Sequence, residues 1–244
     1  LVAGFSHEAI NYMLGGKFRE SYIPLNDNVI NGRIKGVAAV VGCSNPKVIH
    51  DQCHVSLVEE LIANDILVVQ TGCSAIACAK AGFLTPEFAE KHAGKGLAEV
   101  CKAVGMPPVL HSGSCVDNSR VLIALSEMVK VGGLGKDISE LPVAGAAPEW
   151  MSEKAIAIGQ YFVSSGVFTI FGVGLPVKGS EIFCQHIFEE FENIFGGMWA
   201  VEPEPRKMAA MIIDHIHKKR EKLGISKAKE RILYDMKMRR ELKV

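Results

Sequence analysis

No CxxC pair occurs in this sequence, no run fits the GxGxxG spacing, and no excess of either charge sign is present. The first absence argues against a zinc ribbon or a thioredoxin-type redox motif. The second removes the dinucleotide fingerprint; the glycine-rich run 172–180 (GVGLPVKGS) also has no lysine after its last glycine, as a phosphate loop needs. With 27 basic against 27 acidic residues there is no global field to draw nucleic acid or an anionic membrane. Aromatics are scarce at 7%, while 48% of the 244 residues are apolar, which suits a buried α/β interior. The start of the sequence carries no signal-peptide pattern, and the seven cysteines are odd in number and widely spaced. A disulfide framework is therefore not expected, and a reducing, cytoplasmic setting is.

Residues 155–177 contain no charge and are long enough to cross a bilayer, but Gln160, Gly166, Gly172 and Pro176 interrupt the pattern. A buried helix followed by a buried strand is the better reading, and no membrane span is expected.

Six short apolar runs punctuate the chain: KGVAAVVG, DILVVQTG, PPVLHSG, LPVAGAA, VFTIFGVG and GMWAVE. Runs of this length without alternation read as strands covered on both faces. Helical patterns lie between them at 47–63, 118–129 and 152–165, and another opens at Pro205 and closes on cations before Gly224. The alternation predicts a Rossmann-like, doubly wound α/β fold with a mostly parallel sheet and helices on both faces. Residues 1–35 read as an opening helix, closing at Gly15-Gly16, and a polar linker through Pro24, Asn26, Asn28 and Asn31. Residues 36–224 read as the main domain, and 225–244 as a basic helical tail with an apolar stripe of Ile225, Ile232, Leu233 and Met236.

Ligands of parallel sheets bind beyond the carboxyl ends of the strands. Cys43, Cys73 and Cys115 each follow an apolar run there, with glycine one or two residues earlier. Glycine lets backbone approach a bulky group, and helix N-terminal amides stabilise thiolate over thiol. Spacings of about one strand–helix unit suit a large cofactor held between loops, an iron–sulfur cluster foremost. A lone buried cysteine is as readily a small hydrophobe, and Cys53, Cys78, Cys101 and Cys184 read that way. His50 and His54, four apart on the expected helix, are a weak metal pair; His111 precedes Cys115 and either orients it or satisfies the core. Lys154 falls in the first turn after a fourth strand, where the helix dipole and partial burial would disfavour its ammonium form. Ile158, one turn later, shares its face.

The segments IKGVAAVVGCSN, ILVVQTGCSA, PPVLHSGSCVDNSR and LPVAGAAPEWMSEKAIAIG, in this order, resemble the C-terminal domain of the nickel-dependent anaerobic carbon monoxide dehydrogenases from about residue 5 to 224. Within that family the resemblance points to the acetogen type that works with acetyl-CoA synthase. The resemblance implies that Cys43 and Cys73 ligate iron, and Cys115 nickel, of a Ni-4Fe-4S active cluster. It implies that Lys154 bonds the CO₂ or carboxylate and assists proton transfer, and that Ile158 lines the gas pocket. The implied reaction interconverts CO and water with CO₂, two protons and two electrons. Implied partners are the family's N-terminal portion with further 4Fe-4S relay clusters, a second copy in a homodimer, a ferredoxin-type carrier and, in the acetogen type, acetyl-CoA synthase. The N-terminal and middle segments that complete the cluster in relatives are not in this sequence. Two alternatives remain: a hybrid-cluster type reductase acting on hydroxylamine without nickel, and a non-catalytic assembly module.

Overall fold

The computed structural model describes residues 3–14 and 22–241. In chain order the elements are α1 (His7–Leu14), α2 (Ile23–Asn31), β1 (Gly36–Val40), α3 (Gln52–Ala63), β2 (Ile66–Gln70), α4 (Gly72–Lys80), α5 (Pro86–His92), α6 (Lys95–Val104) and β3 (Val109–His111). Then follow α7 (Asn118–Val131), β4 (Val143–Ala147), α8 (Glu153–Ser164), β5 (Phe168–Phe171), α9 (Glu181–Gln185), α10 (Phe191–Phe195), β6 (Trp199–Val201), α11 (Pro205–Lys222) and α12 (Met236–Glu241). All six expected strands form. They pair in parallel in the order β3-β2-β1-β4-β5-β6, and each of β1, β2, β4 and β5 is buried along its whole length. The order reverses between β1 and β4, which creates a crevice at their carboxyl ends.

Successive strand residues point to opposite faces, and the packing around β1 shows both faces covered. A Cβ on Gly36 would lie 2.3 Å from the Pro142 carbonyl and 2.8 Å from Ile216 of α11, so only glycine lets that helix seat. Its neighbour Val37 faces Leu25 of α2 and Val121, Leu125 and Met128 of α7.

Several elements differ from what sequence pattern predicts. The helix expected at 47–63 begins at Gln52, because residues 46–50 turn and Asp51 takes a left-handed φ of 65°. His50 therefore stands outside the helix, exposed beside Asp51, while His54 is buried, and the two form no metal pair. The expected linker is α2, in which Asn26 donates to the Met128 and Gly132 carbonyls at 2.8 and 2.9 Å and Asn28 to Pro24 O at 2.9 Å. Polarity there marks buried bonding, not solvent. Gly15 and Gly16 lie outside the described residues. Residues 72–104 carry three helices, two more than a simple strand–helix unit. The tail has no regular secondary structure over 225–235 and becomes helical only at α12. Ile225 is buried and Ile232 exposed, so no continuous stripe forms. The segment is instead tied down by Asn31 donating to Lys229 O, Arg33 to Arg231 O, and the Arg231–Asp27 ion pair at 3.0 Å.

Arg220 shows how the helix ends are satisfied. Its guanidinium is buried and donates to Val29 O at the end of α2 (2.7 Å), Lys35 O (3.0 Å) and Ile225 O (2.7 Å). Cations are favourable at helix C-termini, and here one cation serves both α2 and α11. At the other end of α11, Glu204 accepts from Arg206 N and Lys207 N.

His215 on α11 stacks against Phe168 at 4.8 Å between ring centroids. Burial first, then Lys219 and Lys218, push its pKa down from 6.5 to about 4. The folded state thus resists a proton that the unfolded chain accepts. The effect is absent above pH ~6.5 and grows as pH falls toward ~4, reaching up to ~3 kcal/mol of lost stability. His215→Phe keeps the ring contact and removes the titration. Urea unfolding at pH 7 and pH 4.5 should show a smaller acid-side loss for the variant; equal losses in both proteins would refute the assignment.

Candidate functional site

The carboxyl ends of β1, β2, β3 and β4 deliver four loops to one edge. After β1, Gly42 (φ 110°) turns the chain and Cys43 follows, half-buried. After β2, Gly72 (φ 64°) opens α4 and Cys73 sits exposed in its first turn. After β3, Gly113 (φ 128°) leads to Cys115, half-buried at the start of a 3-10 turn. The three glycines take a backbone region that side chains disfavour, and each stands directly before or two residues before a cysteine.

The three loops are fastened to one another. Gly72 N donates to Gly113 O at 2.9 Å, joining the second loop to the third. Asn118, buried, accepts from Thr71 Oγ1 at 3.0 Å and donates to Cys115 O at 2.9 Å, so one side chain spans both. His111 Nδ1 accepts from Gly113 N at 3.0 Å, so its role is to shape the turn before Cys115. Gln70 Nε2 donates to Ser74 Oγ, which donates to Val40 O at 2.6 Å and links β2 and α4 back to β1.

A fourth loop closes the edge. Cys43 Sγ lies 3.9 Å from Ser152 Oγ, just before α8. Lys154 and Ile158 lie one turn apart on α8 and line, with Cys43, Cys115 and Asn118, a cavity of about 60 Å³. Its inner wall is Ala39, Gly145, Ala146, Thr169 and Phe171, so it runs beneath α8 toward the sheet. That volume admits a few water-sized molecules. Lys154 itself is exposed, and the partial burial expected for it is not seen among the described residues.

The Cys115 thiol is pushed above its ordinary pKa by burial, then by Cys43 and Cys73; Lys154 acts in the opposite direction. These four groups are therefore within electrostatic reach. A thiol whose ionisation two neighbouring thiols oppose suits a cation that removes the repulsion. Cys78 and Cys101, buried in the core, are pushed up to about 12 and behave as small hydrophobes.

Among the described residues, no group of three or more His, Cys, Asp or Glu side chains is placed to hold a single metal ion. Cys43 and Cys115 line the cavity beneath α8, and Cys73 follows Gly72, which lies against Cys115. A Cβ on Gly72 would lie 2.8 Å from Cys115 Sγ, so that cradle is kept open by the lack of a side chain. An all-sulfur donor set around an open cradle fits one side of an iron–sulfur cluster.

Sequence reading missed Asn118, Ser152 and Glu149, and gave His54 only as half of a weak metal pair. Glu149 is fully buried, and its oxygens accept from Asp51 N at 3.2 Å, just before α3, and from Cys53 N at 3.1 Å in its first turn. The only signal in the sequence was a carboxylate at the end of an apolar run, AAPEW. His54 is buried beside it, with its pKa lowered by burial and its Nε2 2.8 Å from Cys43 O.

The sequence pattern of the Prismane/CO dehydrogenase family matches residues 5–206. The chain is 54% identical to carbon monoxide dehydrogenase 1 of Methanosarcina mazei over 225 residues, covering 92% of this chain and 35% of that protein. It is 38% identical to the carbon monoxide dehydrogenase/acetyl-CoA synthase subunit beta of Moorella thermoacetica, over 93% of this chain and 35% of that one. It thus spans about a third of the length of these relatives. Among solved structures it superposes with a TM-score of 0.86 and 52% identity on an as-isolated, nickel-free carbon monoxide dehydrogenase from Thermococcus sp. AM4 produced without CooC maturase, covering 91% of this chain and 34% of that one. A TM-score of 0.86 at 37% identity relates it to an acetyl-CoA synthase/carbon monoxide dehydrogenase whose alpha subunits carry NiZn[Fe4S4] and NiNi[Fe4S4] clusters, over 92% and 34% of the two chains.

Gly72→Ala tests the cradle. It places a methyl group against Cys115 Sγ and adds strain at a positive φ, costing about 1 kcal/mol or more of stability. Alkylation of Cys115, followed by mass spectrometry, should slow or speed at least about threefold relative to Cys184, which lies elsewhere. An unchanged ratio would show that Gly72 does not shape the thiol's surroundings.

Proposed function

This chain belongs to the Prismane/CO dehydrogenase family, and we propose that it forms the cluster-binding third of a nickel-dependent carbon monoxide dehydrogenase. The observation that carries the reading is the convergence of Cys43, Cys73, Cys115 and Lys154 on one sheet edge, beside a small, largely apolar cavity. In this reading Cys43 and Cys73 hold iron and Cys115 holds nickel. The remaining ligands come from polypeptide outside these 244 residues. When bound, the cluster supplies Lewis-acid activation of CO and water and accepts the two electrons released with CO₂ and two protons.

The chain's own residues supply placement and protons. The thiols of Cys43, Cys73 and Cys115 bind as thiolates, so metal loading releases their protons. Asn118 holds Cys115 and the loop before Cys73 in a fixed relation through its two hydrogen bonds. Lys154 Nζ, at the cavity mouth, donates a hydrogen bond to the oxygen of the carbon substrate and carries a proton between it and solvent; stabilising negative charge where it develops is the main electrostatic lever in such sites. Ile158, with Ala39 and Phe171 behind it, keeps the inner cavity apolar, which suits a small uncharged gas and excludes bulk water.

The exposed apolar side chains around this edge support a covering partner: Val116 is 81% exposed, Ile49 72% and Met151 57%. We assign that cover to the family's N-terminal and middle portions, with relay 4Fe-4S clusters there, in a homodimer that passes electrons to a ferredoxin-type carrier in the cytoplasm. Acetyl-CoA synthase is a further partner of relatives of the acetogen type.

Elemental analysis of the whole enzyme carrying this sequence is the decisive measurement. Nickel together with iron supports the dehydrogenase reading; iron without nickel at full activity toward hydroxylamine would replace it with the hybrid-cluster reductase. In that enzyme Cys115→Ala should abolish nickel uptake and keep most of the iron, and retained nickel with full CO oxidation would overturn the assignment. Lys154→Ala should lower turnover by about 10²-fold or more with metal content unchanged, and near-normal turnover would remove its proton-transfer role.

A further inference from the structure

Cys43 lies three residues beyond the end of β1, so its carbonyl has left the strand ladder and needs another donor. The donor is the imidazole of His54. Its Nε2 donates to Cys43 O at 2.8 Å, which fixes the proton on Nε2 because a carbonyl only accepts. His54 is fully buried on the face of α3 that also carries Leu57, Val58 and Leu61, where an apolar residue would pack without penalty. Its other nitrogen, Nδ1, is buried without a partner. Burying an imidazole at such a cost is explained by the one bond it makes.

The first turn of α3 is itself held from outside. Glu149, on the loop after β4, accepts from Asp51 N and Cys53 N, and its Oε2 lies 3.9 Å from His54 Nε2. Asn45 Nδ2 donates back to Trp150 O at 2.7 Å. The loop after β1 and the loop after β4 are thus buckled together at Asn45, at Glu149 and, through Ser152, at Cys43 Sγ.

We propose that His54 is a positioning residue for Cys43, with Glu149 as its anchor, so that the Cys43 thiol is held in a fixed relation to the loop leading to Lys154. The proposal rests on the reading of Cys43 as a ligand only for its purpose; the positioning is a property of the metal-free chain. His54→Leu removes the donor and keeps the burial, whereas His54→Gln offers an amide donor close to the place of Nε2.

The full chain, without metal, is alkylated with iodoacetamide, and the rates at Cys43 and Cys115 are compared by mass spectrometry alongside melting temperature. With His54→Leu the Cys43:Cys115 rate ratio should change by about fivefold, the factor that one ordinary hydrogen bond is worth. His54→Gln should return the ratio to within about twofold of the parent. A ratio that stays constant in His54→Leu overturns the proposal, as does a parallel rise at every cysteine with a fall in melting temperature, which would mark general loosening. Because no metal enters this measurement, absence of nickel and iron from the whole enzyme would overturn the cluster reading and leave this result standing.

Discussion

The Glu149 carboxylate sits out of water at the exit of β4, and its two oxygens accept amides at the start of α3, from Asp51 just before it and Cys53 in its first turn. A buried carboxylate needs donors, and helix N-terminal amides are well suited because their partial positive charge meets the anion directly. The consequence reaches beyond one helix cap. The start of α3 is pinned to a different strand's loop, His54 one residue into the pinned turn reaches Cys43, and Asn45 returns a bond to Trp150. The strands carrying these loops, β1 and β4, are the pair at which strand order reverses. The crevice that the topology opens is thus given a fixed width by polar bonds between its two walls.

Small residues decide how closely elements approach, both at that crevice and at the opposite end of the sheet. Gly36 lets α11 seat against the sheet, and Gly72 keeps space beside Cys115 Sγ. Gly159 on α8 performs the same service toward the interior, since a Cβ there would stand 2.4 Å from Phe171. Bulk at Gly159 would close the cavity beneath α8, and bulk at Gly72 would displace a thiol. The edge is therefore shaped as much by missing side chains as by those present.

The strands were legible because a doubly covered parallel sheet writes itself as short, unbroken apolar runs, and all six appear where those runs lie. The helix start at 47 was misjudged because Asp51, in a left-handed turn, is followed by a helix whose amides are satisfied by Glu149, about a hundred residues away in sequence. The segment of α2 reads as linker because Asn26 and Asn28 are polar, yet both are buried and bonded to carbonyls, one set on α7 and the loop after it. The tail reads as an amphipathic helix, while bonds from Asn31 and Arg33 tie it to the end of α2 and the loop after it as irregular chain.

Sequence alone determined the alternation of strands and helices, the positions of Cys43, Cys73 and Cys115 after their glycines, and the phrases that tie the chain to its family. Those features are local: a run of apolar residues, a turn, a cysteine at a fixed offset. What only the tertiary structure decided is which side chains stand behind the cysteines. His54, Glu149, Asn118 and Ser152 carry no pattern of their own, because their partners are backbone groups or side chains on other loops. Such bonds exist only after the sheet has brought its carboxyl ends together, and no spacing along the chain encodes them.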